Sequence, residues 1–413
     1  MYSCADSPRR TPRTPRFSAV GLCLCVVGVL CGDLAIGLAS GAQEPAAPQA
    51  VSAAQLKAAI DKLADLDYST RTNAARTVRR TAAAQAAPAL MQAVSEHADG
   101  YVRYRALVLL TGFNDPRVKD SMREALASPN DRLRAVAYGF FEHNPDPAMI
   151  PAFLDALEKE QGEFVRPALV RALAAEGVAN PGARQALVRD VARGQDFFRS
   201  AVVEALGDYK AQYAFEAITA VARLEGPLQA DAAIALGKIG DKRALDTLAG
   251  IQRTAPKSAQ PSIAAAICLL GINCESHENY LIETLKFSDR NAGFQELLRG
   301  AASGLGMLGL AGHTEAVDAL FTVGIPSRDP TRAPVALALA TVALRNTPLM
   351  LSILETHADR AHAIDLVAEG FDMLEEDLDK ERFFTAVRHA YWQSAAGSAS
   401  RELMQTLIGK LDF

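Results

Sequence analysis

Several stretches of this 413-residue chain carry residue types that do chemistry, and spacing decides what each is worth. Gly304-Leu-Gly306-Met-Leu-Gly309 spells a dinucleotide-binding loop. That loop needs a strand before it and a ribose-binding acid about twenty residues on. Leu297-Leu-Arg-Gly-Ala-Ala-Ser precedes it and is helical in register, so the glycines read as close helix packing and a helix end. His277-Glu278, Glu96-His97 and Glu142-His143 place an imidazole beside a carboxylate, but in different orders. His357 and His362 are five apart, which separates them around a helix. Glu375-Glu-Asp-Leu-Asp379 with Glu381 lacks the glycine and the alternation of a calcium loop and reads as a solvated turn. No Gly-x-Ser-x-Gly elbow is present. No catalytic residue, cofactor-binding residue or metal ligand is therefore expected. Cys268 and Cys274 flank a turn at Gly271-Ile-Asn, and a chain reversal there can bring two Cα atoms to the ~6 Å of a disulfide. A bridge is expected in an exported chain, beside the alternative of two buried thiols.

The strongest signal is periodic. Arg71, Arg103, Arg134, Arg166 and Arg199 are spaced by 32, 31, 32 and 33 residues. An acid precedes most of them by three or four positions: Asp99 before Arg103, Asp131 before Arg134, Glu163 before Arg166, Asp196 before Arg199. An acid at a helix start meets free N–H groups and the positive helix end. An Arg one turn on can reach the acid of its own unit or of its neighbour, so these eight residues are expected to form a structural charge ladder. Apolar residues follow at helical spacing, as in Val102, Ala106, Leu109 and Leu110. Turns come at Gly112-Phe-Asn-Asp-Pro116, Gly207-Asp208 and Gly240-Asp241. A second helix then runs Val118, Met122, Leu126, or Ile150, Phe153, Leu154, Leu157. Tyr101-Val-Arg-Tyr104 and Phe197-Phe-Arg199 have the letters of a nucleic-acid stripe. Each Arg has an acid nearby, so core and ladder are the expected roles, with no nucleic-acid partner.

This pattern resembles the HEAT-repeat family, in the bacterial HEAT-like form that opens its first helix with Asp-x-x-Val-Arg. The resemblance spans residues 55–393. It is clearest from Asp67 to Asp208, continues at Pro227–Asp241 with Ala230 in the Arg position, and loses the acid–Arg pair after Ser258. It implies an all-α solenoid of about ten antiparallel hairpins whose second helices line a concave partner-binding face. Arg117, Asp120 and Glu124, then Arg184, Arg189 and Arg193, are the exposed candidates there. Within that family the deoxyhypusine hydroxylases hold two irons through repeated His-Glu pairs. This chain has one such pair, His277-Glu278, which is too few.

The ends read separately. Residues 1–42 hold Arg9, Arg10, Arg13 and Arg16, an apolar run from Phe17 to Gly32, and small residues at Ala39–Ala42. That is the grammar of a secretory signal. The apolar run is shorter than the ~20 residues of a spanning helix. Export to the periplasm is expected, with inner-membrane anchoring by an uncleaved segment as the alternative and the sole membrane contact. Residues 43–52 read as a Pro/Ala tether, 53–393 as the solenoid, and 394–413 as a break and a capping helix. The net charge is −5; residues 1–42 carry +2, leaving a mildly acidic −7 body with no basic block. The expected function is a non-catalytic exported scaffold binding a protein or peptide, with no cofactor. A metal-dependent or lyase-like repeat enzyme and a structural element of the cell envelope are the other readings.

Overall fold

The computed structural model describes residue 48 and residues 51–413 apart from 178 and 375; the leader and most of the tether lie outside the described residues. Contacts separate Met1–Gln43 from a repeat body, Glu44–Phe413, and only the body is described here. Its described residues form 22 α-helices, three single 3-10 turns and no strand. Helix α1 (Ala53–Asp61) starts where Ser52 and Gln55 cap each other reciprocally. It stops at Asp61, and a 3-10 turn, Lys62–Ala64, follows.

Ten pairs come next. In the first five, α2 (Tyr68–Arg80) pairs with α3 (Ala83–Glu96), α4 (Gly100–Leu110) with α5 (Val118–Ala125), and α6 (Asp131–His143) with α7 (Ile150–Lys159). Then α8 (Val165–Gly177) pairs with α9 (Pro181–Asp190), and α10 (Asp196–Asp208) with α11 (Phe215–Ala222). The later five are α12 (Gln229–Ile239) with α13 (Ala244–Gln252), α14 (Gln260–Leu269) with α15 (Cys274–Arg290), and α16 (Gln295–Leu310) with α17 (Thr314–Gly324). The series ends with α18 (Arg332–Arg345) and α19 (Thr347–Thr356), α20 (Arg360–Met373) and α21 (Asp377–Gln393), and a closing α22 (Ala399–Lys410). This is an all-α solenoid. Among the described residues no single helix is long and apolar enough to cross a membrane.

First helices stack on first helices from α4 through α20, and a continuous apolar core fills the space between the rows. α14 belongs to both halves of that core: Ile263 and Ile267 face the earlier units, Ala264 and Cys268 the later ones. The first-helix row packs closest. Gly207, expected at a turn, lies inside α10, where a Cβ would stand 2.8 Å from the Ala235 Cα of α12. The turn falls instead at Lys210, with φ 50. Gly240 does end its helix, in the left-handed region at φ 79. The Gly304–Gly309 motif lies within α16, where a Cβ on Gly306 would meet Ala338 at 3.3 Å; its glycines serve helix packing.

The array does not stay open. α21 leaves the row of second helices and lies against α18 on one side and α4 and α6 on the other. Arg79 of α2 and Glu381 of α21, both buried, pair at 2.8 Å. Tyr104 and Arg105 of α4 share Asp377, Arg76 pairs with Asp412, and Arg80 donates to the Phe413 carbonyl. Gly139 leaves the flat on α6 where Leu378 lands, since a Cβ there would be 2.7 Å from Leu378 Cδ2. The repeat body thus closes on itself.

Candidate functional site

The periodic arginines do a different job from the one expected. Arg103 donates from Nε to the Val94 carbonyl, Arg166 to those of Leu157 and Glu160, Arg199 to Val191, and Arg134 to Ser128 and Pro129. Each reaches back to the end of the preceding second helix, where carbonyls lack intrahelical donors. The position is a clamp between units. Of the pairs expected among the eight ladder residues, within a unit or between neighbours, the structure forms one, Asp196–Arg199 at 2.9 Å. Arg134 pairs with Glu160 and Arg166 with Asp190, while Asp99 caps α4 through the N–H groups of Tyr101 and Val102. Asp131 is the first residue of α6, capped by Asn130, and bonds the Arg132 N–H. Glu163 is exposed just before α8.

The clamp also continues where the acid–Arg pair stops. Gln229, not Ala230, replaces the Arg and donates to the Ala222 carbonyl; Gln260 donates to Gln252 and Ala255. Arg332 and Arg360 resume the role on the ends of α17 and α19. A hydrogen-bond donor is what the position requires, which is why Gln serves and why the acid is dispensable.

The interior is lined by first helices, opposite to the arrangement expected. Asp208 at the end of α10 accepts from Arg171 at 2.7 Å, Lys238 at 2.6 Å and Arg345 at 3.3 Å. Arg171 also reaches Glu142, which accepts from the Tyr209 hydroxyl at 2.8 Å. Burial works against the Asp208 charge, yet Lys238 and Arg171 hold its pKa below the usual carboxylate range. Burial, with Asp379 beside it, pushes Glu376 up. Asp208, Lys238, Arg345, Glu376 and Asp379 surround a chamber of about 250 Å³. Its charges are spent on one another and tie α8, α10, α12 and α18 together. The acidic run expected as a solvated turn is thus largely an interior element: Asp377 bonds α4, and Asp379 lies 3.4 Å from His143.

The second-helix candidates lie on the row away from this interior. Arg117 is bound to Asp115, Asp120 to Arg123, and Arg189 and Arg193 to Glu158. Arg184 donates to the Gly177 carbonyl and stacks over Tyr213; Glu124 is exposed on the same row. They do not converge.

A set that does align includes Tyr101 and Phe197, which were expected in core and ladder. Tyr68, Tyr101, Phe164 and Phe197 occupy the starts of four first helices and are 66%, 38%, 64% and 54% exposed. Tyr101, Phe164 and Phe197 each stand two residues before the Arg of their unit, so parallel stacking of these helices puts the three on one edge; Tyr68 stands three before Arg71, one position off that register. Tyr104 is buried, as expected; Tyr101 is not. In the α6 unit Arg132 takes the aromatic's place and lies over the Tyr101 and Tyr104 rings at 6.0 and 5.5 Å. Beside each stands an exposed acid: Asp67, Asp99, Asp131, Glu163, Asp196. The readable signal was an aromatic one or two residues after the acid in four of the five units, with Arg132 in the fifth.

Cys268 and Cys274 are joined by a disulfide, with Cα atoms 4.0 Å apart.

Comparison with known proteins agrees with this architecture. The family described as HEAT repeats matches residues 56–140, and the PBS lyase HEAT-like repeat matches residues 228–250. None of the curated proteins matches the chain. Among solved structures it is similar to the complex of CpcE and CpcF of phycocyanin lyase from Nostoc sp. PCC7120, with 20% identity over 63% of this chain and 97% of that one and a TM-score of 0.40. It is also similar to importin beta, with 15% identity over 86% of this chain and 50% of that one and a TM-score of 0.37. For Kap121p the identity is 13% over 86% of this chain and 45% of that one, with a TM-score of 0.31. The two family matches identify HEAT-type repeats at residues 56–140 and 228–250, and the helical pairs carry the same period along the rest of the body.

Proposed function

We propose that the chain is a non-catalytic, exported scaffold that binds a protein partner along the aromatic edge of its first five units. The observation that carries this is the row Tyr101, Phe164 and Phe197, exposed at equivalent places with Tyr68 one position off in the unit before, and flanked in each unit by an acid. Exposed apolar rows rimmed by polar groups mark interaction sites, and aromatic anchors supply most of the energy at such sites. Stacked helices lie roughly 10 Å apart, so the row is a ruler of regular anchors. The acids beside it select the occupant: an extended segment with spaced apolar side chains and Lys or Arg between them. The interior face is already filled by α21, which leaves the edge as the long repetitive surface.

The test is capture of partners from the native compartment by the wild type and by two double variants, Tyr68→Ser/Tyr101→Ser and Phe164→Ser/Phe197→Ser. Each lost anchor is expected to cost about 1–2 kcal/mol of binding. Equal capture by all three proteins would sink the proposal. A second reading, a lyase-like enzyme, rests on the match of residues 228–250 to the PBS lyase HEAT-like repeat. Turnover of a small molecule that survives both double variants would favour it.

A further inference from the structure

The turn that joins α14 to α15 gathers more chemistry than a disulfide needs. Cys268 is buried near the end of α14, and Cys274 is the first residue of α15. Gly271 at φ 73 and Asn273 at φ 44 reverse the chain between them. From the next pair, His313 at the start of α17 brings its Nδ1 to 3.8 Å from the Cys274 sulfur. Glu278, one turn along α15 from Cys274, places Oε2 at 3.5 Å from the same Nδ1. Its side chain is 13% exposed, and its other oxygen, Oε1, is buried without a hydrogen-bond partner. The ligand atoms of Cys268, Cys274 and His313 all lie within 4.8 Å of one another.

A buried carboxylate oxygen with no donor is costly, and native structures rarely leave one without a purpose. Two sulfurs, one imidazole nitrogen and one carboxylate oxygen make a four-ligand set for a borderline-soft divalent cation. Around tetrahedral zinc, with Zn–S ~2.3 Å and Zn–N ~2.0 Å, sulfur and nitrogen ligands stand roughly 3.5 Å apart, close to the separation already in place. The positive end of α15 favours the Cys274 thiolate.

We propose that the reduced chain binds one zinc-class cation through Cys268, Cys274, His313 and Glu278, and that the disulfide is the closed, oxidised state of this site. A dithiol or phosphine reductant delivers two electrons to the S–S bond and is itself oxidised, to a disulfide or, with the oxygen of water, to a phosphine oxide. Two thiols result. The cation displaces their two protons and takes both thiolates; Glu278 and His313 bind without further redox change. Either state fastens the same turn: one by a covalent bond within it, the other by a metal that also ties in α17.

Anaerobic cobalt titration of the full chain tests this after phosphine reduction. One equivalent of Co²⁺ should give tetrahedral d–d bands and sulfur-to-metal charge transfer, both erased by added zinc. The unreduced chain should give no such bands. Cys268→Ser/Cys274→Ser should lose them, and His313→Ala should bind cobalt at least tenfold more weakly. Cys4, Cys23, Cys25 and Cys31 are common to every variant, so the difference from the double serine variant is the signal of this site. If the double serine variant fails to fold, His313→Ala, which keeps every cysteine, decides: undiminished cobalt binding by it would overturn the proposal. Octahedral spectra, no charge transfer after reduction, or undiminished cobalt binding by the double serine variant would overturn the proposal.

Discussion

The closure of the repeat body includes one buried ion pair, and removing half of that pair should cost far more than removing all of it. Arg79 donates from Nε to both oxygens of Glu381, at 3.1 and 2.8 Å, and the two side chains are 6% and 1% exposed. The guanidinium lies 5.0 Å over the Phe384 ring, and Arg388 bonds the Arg79 carbonyl at 2.9 Å. Both side chains are buried, so a lost partner leaves its charge facing protein. Glu381→Gln leaves a buried cation, and Arg79→Met a buried anion. Each should destabilise the chain by about 3–5 kcal/mol, against the 0–1 kcal/mol of an exposed pair. Arg79→Met with Glu381→Leu replaces both charges by apolar bulk and should cost less than either single change. Urea unfolding followed by helical circular dichroism gives all three values, and the cycle isolates the coupling. Single variants that lose under about 1 kcal/mol, or a double variant that loses the sum, would refute a closure held by this pair.

Other outcomes follow from the same geometry. Arg103→Met removes a clamp on the Val94 carbonyl and should cost about 1 kcal/mol, largely independent of salt; Arg134→Met also breaks the Glu160 pair, so part of its roughly 1–2 kcal/mol should fade at high salt. Melting temperatures unchanged in both would dismiss the clamp. Gly139→Val puts bulk where Leu378 lands and should cost about 1–3 kcal/mol while exposing α21 to protease; unchanged cleavage would show that α21 is not seated there. Hydrogen bonds from the Ser69 hydroxyl and the Thr70 side chain and N–H hold Asp67 at about 2, below its ordinary 3.8. A depressed carboxylate stabilises above its ordinary pKa and loses that contribution as pH falls from 3.8 towards about 2. Asp67→Asn keeps a capping oxygen and should flatten this part of the acid limb; an unchanged limb would remove Asp67 from the account.

The units were legible because their marks are local: an arginine every 31 to 33 residues, apolar faces at helical spacing, and turns at Gly112 and Gly240. The partners of those arginines were not. Arg103 bonds a carbonyl nine residues back, and a carbonyl belongs to every residue type, so no letter marks it. Searching for acids found the caps and missed the clamp, and so made Ala230 look like a loss when Gln229 had taken over. The path of α21 was hidden for another reason. Asp377, Asp379 and Glu381 are the residues of a solvated helix unless Arg105, His143 and Arg79, more than 200 positions earlier, come to meet them. Likewise Tyr101 and Tyr104 read alike in sequence, and only the stacking direction of the helices sends one outward and the other into the core.

A row of helical pairs is a one-dimensional lattice, and such lattices fray from their boundaries. Here the boundary units hold each other: α2 and α4 meet α21, and the residues after α22 bond α2. The boundary is periodic. Opening any one joint leaves a hoop cut once, with every unit still attached at one side, and two joints must open before a segment can swing free. Parting the whole closure, Glu381 together with Asp377, Asp412 and Phe413, would turn the hoop back into an open row whose units can peel from two ends.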